Sequence, residues 1–361
     1  MGIASLNVGT PRHDMASPHP VNPRPLVMRC GQLGDIVLLT TLLRQLHLRF
    51  GQPVDVIASG GFTLPLLEHD PTVGEIFLLP SRSTPFWLSK RQQELVNWLR
   101  RRGPGPTWFL DLKSGRELLA RGGIPDNYVV DSRLIPWAAG ETFADRYIRL
   151  ANFALPACPD IPEPITRNVE RAARLEIKPE ARGQLERWLA GQAFAGKNIV
   201  AIQAGNRRMS RRWFSRQASG TKYWPTQRWA RVVQGVRAHL PDHAIVFLGM
   251  GNESQFNEAI LALADIREAY NAAGELPVPM LLAFLERAHS LISIDTGPAH
   301  AAAALDCPTV SLFGTANAQL YRPGGATTPA IALTGTLNGH QDIMGIAADD
   351  VLRAWKQLTG Y

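Results

Sequence analysis

Short runs of β-branched and apolar residues alternate with longer stretches of helical periodicity along almost the whole chain. No other feature restricts the fold as much, because this alternation marks parallel sheets covered by helices. The first run is Leu26-Val27-Met28-Arg29-Cys30. Beyond a glycine turn, Ile36, Leu39, Leu42, Leu43 and Leu46 recur at three- and four-residue spacing. That spacing predicts a helix from about Asp35 to Phe50. Further strands are predicted at 54–58, 76–79, 108–112 and 128–131. A second series, after a helix near 180–189, places strands at 198–202, 244–248, 291–294 and 309–313. Between the two series, Pro156 to Pro164 holds four prolines and no periodicity, which suits a linker.

The expected fold class is therefore α/β, with two Rossmann-like doubly wound domains facing each other across a cleft. One spans 25–160 and the other 165–345, and 361 residues are enough for both. Residues 1–24 are polar and proline-rich and are expected to form a disordered or loosely ordered extension, with Met15 as an alternative start. Residues 346–361 carry a last helix. Ligands of doubly wound sheets bind beyond the carboxyl ends of the strands, so the loops there are where chemistry is expected.

Composition narrows the partners. No apolar run reaches the roughly 18 residues of a membrane span, and the first 25 residues lack a signal-peptide core. The three cysteines, Cys30, Cys158 and Cys307, are widely spaced in apolar surroundings. They read as small hydrophobes in a reducing compartment rather than as a disulfide framework or metal site. The net charge of +7 suits an anionic partner without choosing among nucleotide, phosphorylated glycolipid, membrane surface and nucleic acid. No His/Asp/Glu cluster shows metal-ligand spacing, and neither metal nor cofactor is expected.

Five segments can carry chemistry. In Ser293-Ile294-Asp295-Thr296-Gly297-Pro298-Ala299-His300, a buried strand passes through a short loop into an alanine-rich helix. Pro298 suits the first turn, and free amides at the helix start would face the cleft as a diphosphate site. Thr296 could donate to a phosphoryl oxygen and His300 could reach the same place. The plainer alternative is that Asp295 or Thr296 caps the helix and His300 packs. In Gly31-Gln32-Leu33-Gly34-Asp35, two glycines three apart fall short of the dinucleotide fingerprint. Asp35 is either a helix cap or a general base taking a proton from an acceptor hydroxyl.

Lys222 precedes a helix that Pro225 initiates, where an ammonium can neutralise a leaving diphosphate. Trp224 and Trp229 nearby read as packing. The loop 206–216 holds five arginines and no acid, with Arg207, Arg208, Arg211 and Arg212 as acceptor or phosphate contacts. A solvated loop or a nucleic-acid contact are the alternatives there. Finally, Leu248-Gly249-Met250-Gly251-Asn252-Glu253 is a strand and glycine turn that could set Glu253 against a ribose, unless Asn252 merely caps a helix.

Together these segments resemble glycosyltransferase family nine, the lipopolysaccharide heptosyltransferases. The resemblance is carried by Gly31 through Thr40, by Lys222-Tyr223-Trp224-Pro225 with Arg228-Trp229, and by Asp295 through His300 with Ala303-Ala304-Leu305 and Leu312-Phe313-Gly314. It implies the GT-B fold, an acceptor-binding N-terminal domain, a donor-binding C-terminal domain and a last helix crossing back onto the first. It implies an inverting, metal-independent transfer of a heptose or related sugar from ADP-heptose to a lipopolysaccharide or other glycan acceptor. By position, Asp35 looks like the catalytic base, Lys222 like the phosphate-supporting residue and Glu253 like the ribose-holding carboxylate. Gly34, Gly205, Asp295, Thr296, Gly297 and His300 match the donor pocket, and Leu276 falls near the adenine site. A cytoplasmic enzyme follows, with peripheral contact to the inner membrane and no nucleic-acid partner.

The arginine-rich loop and the extension depart from that pattern and bear on the acceptor and the sugar. Three rivals remain at this stage: a protein O-heptosyltransferase, a nucleotide-sugar epimerase, and a non-catalytic nucleotide or nucleic-acid binding protein.

Overall fold

The structure, a computed structural model, describes residues 24–81, 83–111, 115–155, 162–165, 170–206, 222–266 and 268–360. The N-terminal extension, Cys158, most of the proline linker and the arginine-rich loop, with Arg207, Arg208, Arg211 and Arg212, lie outside these residues.

The first lobe runs β1 (Leu26–Arg29), α1 (Leu33–Phe50), β2 (Val54–Ala58), α2 (Thr63–Leu67), β3 (Val73–Leu78), α3 (Lys90–Arg102), β4 (Thr107–Phe109), α4 (Arg116–Arg121), β5 (Val129–Asp131) and α5 (Phe143–Ala151). Its five strands are all parallel in the order β3-β2-β1-β4-β5. The second lobe runs α6 (Pro179–Ala190), β6 (Ile199–Gln203), α7 (Thr226–His239), β7 (Ala244–Phe247), α8 (Ser254–Ala264), β8 (Ala269–Asn271), α9 (Val278–Arg287), β9 (Ser290–Ile294), α10 (Gly297–Ala304), β10 (Thr309–Phe313), α11 (Ala318–Tyr321) and β11 (Ala330–Thr334). Its six strands are parallel in the order β11-β10-β9-β6-β7-β8. A hairpin, β12 (Thr336–Leu337) and β13 (His340–Gln341), leads to α12 (Ala348–Thr359).

Both orders reverse direction beside the first strand of the lobe, between β1 and β4 and between β6 and β9. That switch point is where a doubly wound sheet opens a crevice for a ligand. β1, β2, β6, β7, β9 and β10 are buried along their whole length, as expected of strands covered on both faces. The chain has the two-lobed α/β architecture of the GT-B fold.

The lobes share an apolar contact. One core cluster contains Leu39 and Leu43 of α1 together with Ala299 and Ala302 of α10. The run of alanines gives α10 a narrow face, so α1 can approach its backbone closely.

Two expectations are corrected. Among the described residues the last helix packs on the second lobe instead of the first: Val351, Ala354 and Trp355 enter its core, where Trp355 Nε1 donates to Ser290 Oγ at 2.9 Å. The cause is its amphipathic face, which finds the apolar surface of α7 and β10. Helix α1 begins at Leu33, two residues before the periodicity announces it, because Gly34 and Asp35 form its polar first turn. The packing reading of the tryptophans holds. Trp224 and Trp229 are fully buried, edge-to-face at 4.9 Å, and Trp224 Nε1 donates to Ile346 O.

Candidate functional site

The carboxyl edges of β1 and β9 bring two helix starts together. A Cβ built on Gly297 would lie 2.8 Å from Leu33 Cδ2 and 3.3 Å from the Gly34 amide. A Cβ on Gly34 would lie 2.7 Å from His300 Cδ2. Only glycine at both places permits the approach. The positive ends of two helix dipoles therefore meet, which is unfavourable unless negative charge lies beside them. The chain supplies it from both sides, with Asp35 in the first turn of α1 and Asp295 just before α10.

Asp35 is held by its own lobe. Its Oδ2 accepts from the Gln32 amide at 2.7 Å, and its Oδ1 accepts from Arg29 Nη2 at 2.7 Å. The capping reading is thus realised, yet about a quarter of the side chain remains exposed. Arg29 is buried and is fixed from behind by Leu110 O at 2.8 Å. Beneath the pair lies the fully buried Tyr147, whose phenol is pushed up to about 12 by burial.

Asp295 is buried and faces the Lys222 ammonium and the His300 ring. Lys222 Nζ donates to its Oδ2 and to its backbone oxygen, each at 2.5 Å. His300 Nε2 lies 3.7 Å from Oδ1, an electrostatic contact beyond hydrogen-bond length. Burial alone would raise the Asp295 carboxyl, but His300 and the Lys222 ammonium outweigh it and hold it below its ordinary value. No side chain caps the start of α10. The Thr296 hydroxyl instead donates to Ile294 O at 3.2 Å and lies 3.0 Å from Ser293 Oγ. His300 Nδ1 is buried and has no partner among the described residues. Amides without a side-chain cap, an ammonium and an unused ring nitrogen together make a receptor for an anion with hydrogen-bonding oxygens.

The third group follows β6 and β7. Glu253 is buried between two glycines, with its Oε2 3.0 Å from where a Cβ on Gly205 or on Gly249 would lie. Gly249 adopts φ +153°, which favours a residue without a side chain. Gln203 Nε2 donates to Glu253 Oε2 at 2.9 Å and to Gly205 O at 2.8 Å. Burial raises the Glu253 carboxyl despite those bonds. The loop after β8 meets this turn where Gly274 donates to Gly249 O, and half-buried Leu276 follows two residues on.

The structure thus joins Asp35, Gly34, Asp295, Gly297, His300 and Lys222 at one junction, and sets Gly205, Glu253 and Leu276 along the second sheet's edge. Sequence reasoning passed over Arg29, Tyr147, Phe143 and Tyr321. A charged residue closing a buried strand was the available signal for Arg29. Tyr321 carried none, since its position follows from the turn after β10. Cys30 and Cys307 are buried, and burial pushes the Cys307 thiol up to about 12, so it is no nucleophile.

Comparison with known proteins bears on the family and the fold. The family model described as glycosyltransferase family 9 (heptosyltransferase) matches residues 176–340, the segment holding Lys222, Glu253 and Asp295. A lipopolysaccharide heptosyltransferase 2 of Salmonella typhimurium is 23% identical over 92% of this chain and 97% of that protein. The enzyme of the same name from Escherichia coli K12 is 22% identical over 82% of this chain and 84% of its own length. Among solved structures, E. coli ADP-heptose lps heptosyltransferase II superposes with a TM-score of 0.68 at 19% identity, covering 93% of this chain and 98% of that one. A glycosyl transferase family 9 protein of Veillonella parvula gives 0.71 at 17% identity, covering 94% and 97%. At such identities the superpositions bear on the fold alone. The family match over residues 176–340 and the full-length relatives together support a glycosyltransferase similar to the heptosyltransferases of glycosyltransferase family nine.

Proposed function

We propose that this protein is an inverting heptosyltransferase, moving a heptose from ADP-heptose onto a lipopolysaccharide-type acceptor in the cytoplasm. The observation that carries the reading is the junction itself. A carboxylate of one lobe meets an ammonium, a histidine and an uncapped helix start of the other.

In this reading the diphosphate of the donor lies at the start of α10. Lys222, the amides there and His300 Nδ1 take the charge that develops as the bond to the sugar breaks, which is electrostatic work a metal would otherwise do. The Thr296 hydroxyl would have to turn away from Ile294 O before donating to a phosphoryl oxygen, so the amides carry more of that contact than the hydroxyl. Glu253 holds the ribose hydroxyls, and Leu276 borders the adenine. Asp35 accepts the proton of an acceptor hydroxyl, whose oxygen bonds to the anomeric carbon opposite the departing diphosphate. Attack from that side inverts the centre. Arg29 keeps the carboxylate turned toward the cleft.

The N-terminal lobe is the acceptor side. Between Ser81 and Gly140 the sequence has ten basic and five acidic residues. The same lobe exposes Trp87, Leu88 and Leu134. Positive charge beside exposed apolar side chains suits an anionic glycolipid at a membrane surface. The arginine loop 206–216 is assigned to the same anionic ligands.

The deciding experiment incubates the protein with ADP-heptose and a heptose-deficient lipopolysaccharide core, with and without EDTA. Heptose-extended product carrying the inverted anomeric configuration, formed equally with the chelator, is the expected result. Asp35→Asn should abolish transfer and leave donor binding intact. A variant turning over at near wild-type rate would remove Asp35 from the role of base.

A further inference from the structure

Helix α11 is a single turn at the carboxyl edge of the second sheet, and it reaches the other lobe. The Tyr321 ring stands on Phe143, the first residue of α5, with centroids 4.7 Å apart and planes at 42°. Two residues earlier, Gln319 Nε2 lies 3.7 Å from where a Cβ on Gly140 would be. Phe143 is itself held by Trp137 at 5.0 Å and Tyr147 at 5.7 Å, so the platform under Tyr321 is fixed.

The charges acting on the Tyr321 phenol come from both lobes: Asp35 and Arg29 of the first, Asp295 of the second. Burial and the two carboxylates raise its pKa, so it stays a protonated donor throughout the neutral range. Its ring is taken up by the contact with Phe143, and among the described residues its hydroxyl has no protein partner. A half-buried phenol O–H within electrostatic reach of both carboxylates and without a protein partner among the described residues calls for a hydrogen-bonding ligand.

Resting on the glycosyl-transfer reading, the space between Asp35 and Asp295 has one occupant. The acceptor hydroxyl is on the Asp35 side and the diphosphate is on the Asp295 side, so the transferred sugar lies between them. We infer that Tyr321 is a specificity residue whose hydroxyl hydrogen-bonds a hydroxyl group of the transferred sugar, while its ring on Phe143 sets the sugar's orientation. A site built to pair a substrate hydroxyl discriminates strongly against analogues that lack it.

The test compares two ligands that differ only in the sugar. Binding of ADP-heptose and of ADP is measured calorimetrically without acceptor, for the full-length protein and for Tyr321→Phe, which keeps the ring and the stack. Affinity for ADP-heptose is expected to fall roughly five- to ten-fold, the worth of one hydrogen bond, while ADP stays within about two-fold. Phe143→Leu, which loosens the platform, should weaken ADP-heptose in the same sense and spare ADP. Equal losses for both ligands, or none, in Tyr321→Phe would overturn the inference and leave the glycosyl-transfer reading standing. Failure of the wild-type protein to bind either ligand would instead bring down that reading, and the inference with it.

Discussion

Gly34 and His300 belong to different lobes, and His300 Cδ2 occupies the space a methyl group on Gly34 would need, 2.7 Å from such a Cβ. The clash involves a ring that is 6% exposed and cannot swing freely away. Gly34→Ala should therefore push His300 off the start of α10 or separate α1 from α10. Either outcome disturbs the junction more than the two cores, since α1 keeps its apolar face. The expected result is a loss of transferase turnover of 10²-fold or more, the order seen for a reacting group misplaced by about 1 Å. Unfolding free energy should fall by only about 1–3 kcal/mol, as for other overpacking changes. Kinetics and urea denaturation on the same preparation check both. Turnover unaffected by the methyl group would mean the observed approach is irrelevant to the working state.

Glu253 invites a test in which stability and binding move apart. Its carboxyl is raised because burial penalises the charged form more than Gln203 relieves it. A group with a raised folded pKa loses its contribution as pH rises through that value, so at neutral pH the charged Glu253 is a cost to the fold. Glu253→Gln removes the charge, keeps the shape and can still accept from Gln203. The variant should be as stable as wild type at pH 5 and equal or more stable near pH 7, by thermal denaturation. If Glu253 holds the ribose, affinity for ADP should fall at the same time by roughly ten-fold, the loss of a charge-assisted hydrogen bond. A variant less stable at pH 7 than at pH 5, relative to wild type, would contradict the placement of this carboxylate.

Much of the fold was legible because parallel strands buried on both faces announce themselves as continuous apolar runs. The strands 54–58 and 309–313 coincide with β2 and β10. The edge strands β8 and β11 were missed: both are only partly buried, and β8 is three residues with no apolar run, while the short apolar run of β11 has no helical pattern after it to mark it as one more turn of the alternation. In the site, Asp35, Lys222 and Asp295 stood out because each is a charge at a strand-to-helix loop. That Lys222 is already paired with Asp295 was not legible, nor that Gly297 abuts Leu33. Both depend on contacts between residues distant in sequence, which no local pattern encodes. The last helix was assigned to the wrong lobe from resemblance; its amphipathic pattern says that a face is buried without saying against what.

His243 and His289 form an edge-to-face pair at 4.9 Å at the opposite edge of the second sheet. Burial lowers both pKa values below the ordinary 6.5; His243 lowers His289 further, and at His243 the Arg237 guanidinium adds to burial while Asp242 opposes it. The unfolded chain therefore binds protons more readily than the folded one as pH falls below 6.5, and stability should decline there. His243→Asn should remove part of that decline while costing stability at pH 7.5 through lost packing. Urea midpoints measured at pH 7.5 and pH 5.5 decide it: an unchanged difference between the two pH values in the variant would show that the pair does not contribute.

The Lys222–Asp295 pair separates electrostatic from structural roles most sharply. Lys222→Met leaves a buried carboxylate facing only His300, and an uncompensated buried charge destabilises more than the pair stabilised. In wild type the depressed Asp295 value means its contribution is present at neutral pH and is lost as pH falls below the ordinary 3.8. Without the ammonium, that loss should begin at higher pH, so the stability of Lys222→Met falls earlier on acidification. Adding Asp295→Asn removes the stranded charge, and the double variant should recover stability toward wild type near pH 7. Transferase activity should not recover, because the diphosphate still lacks its cation; a loss of about 10²–10³-fold is expected in both variants. Urea denaturation at several pH values, paired with initial rates at saturating ADP-heptose, reads the two effects independently. Recovery of stability with activity still absent is the signature of an ion pair kept for the donor. Recovery of both would show that Lys222 only balances Asp295.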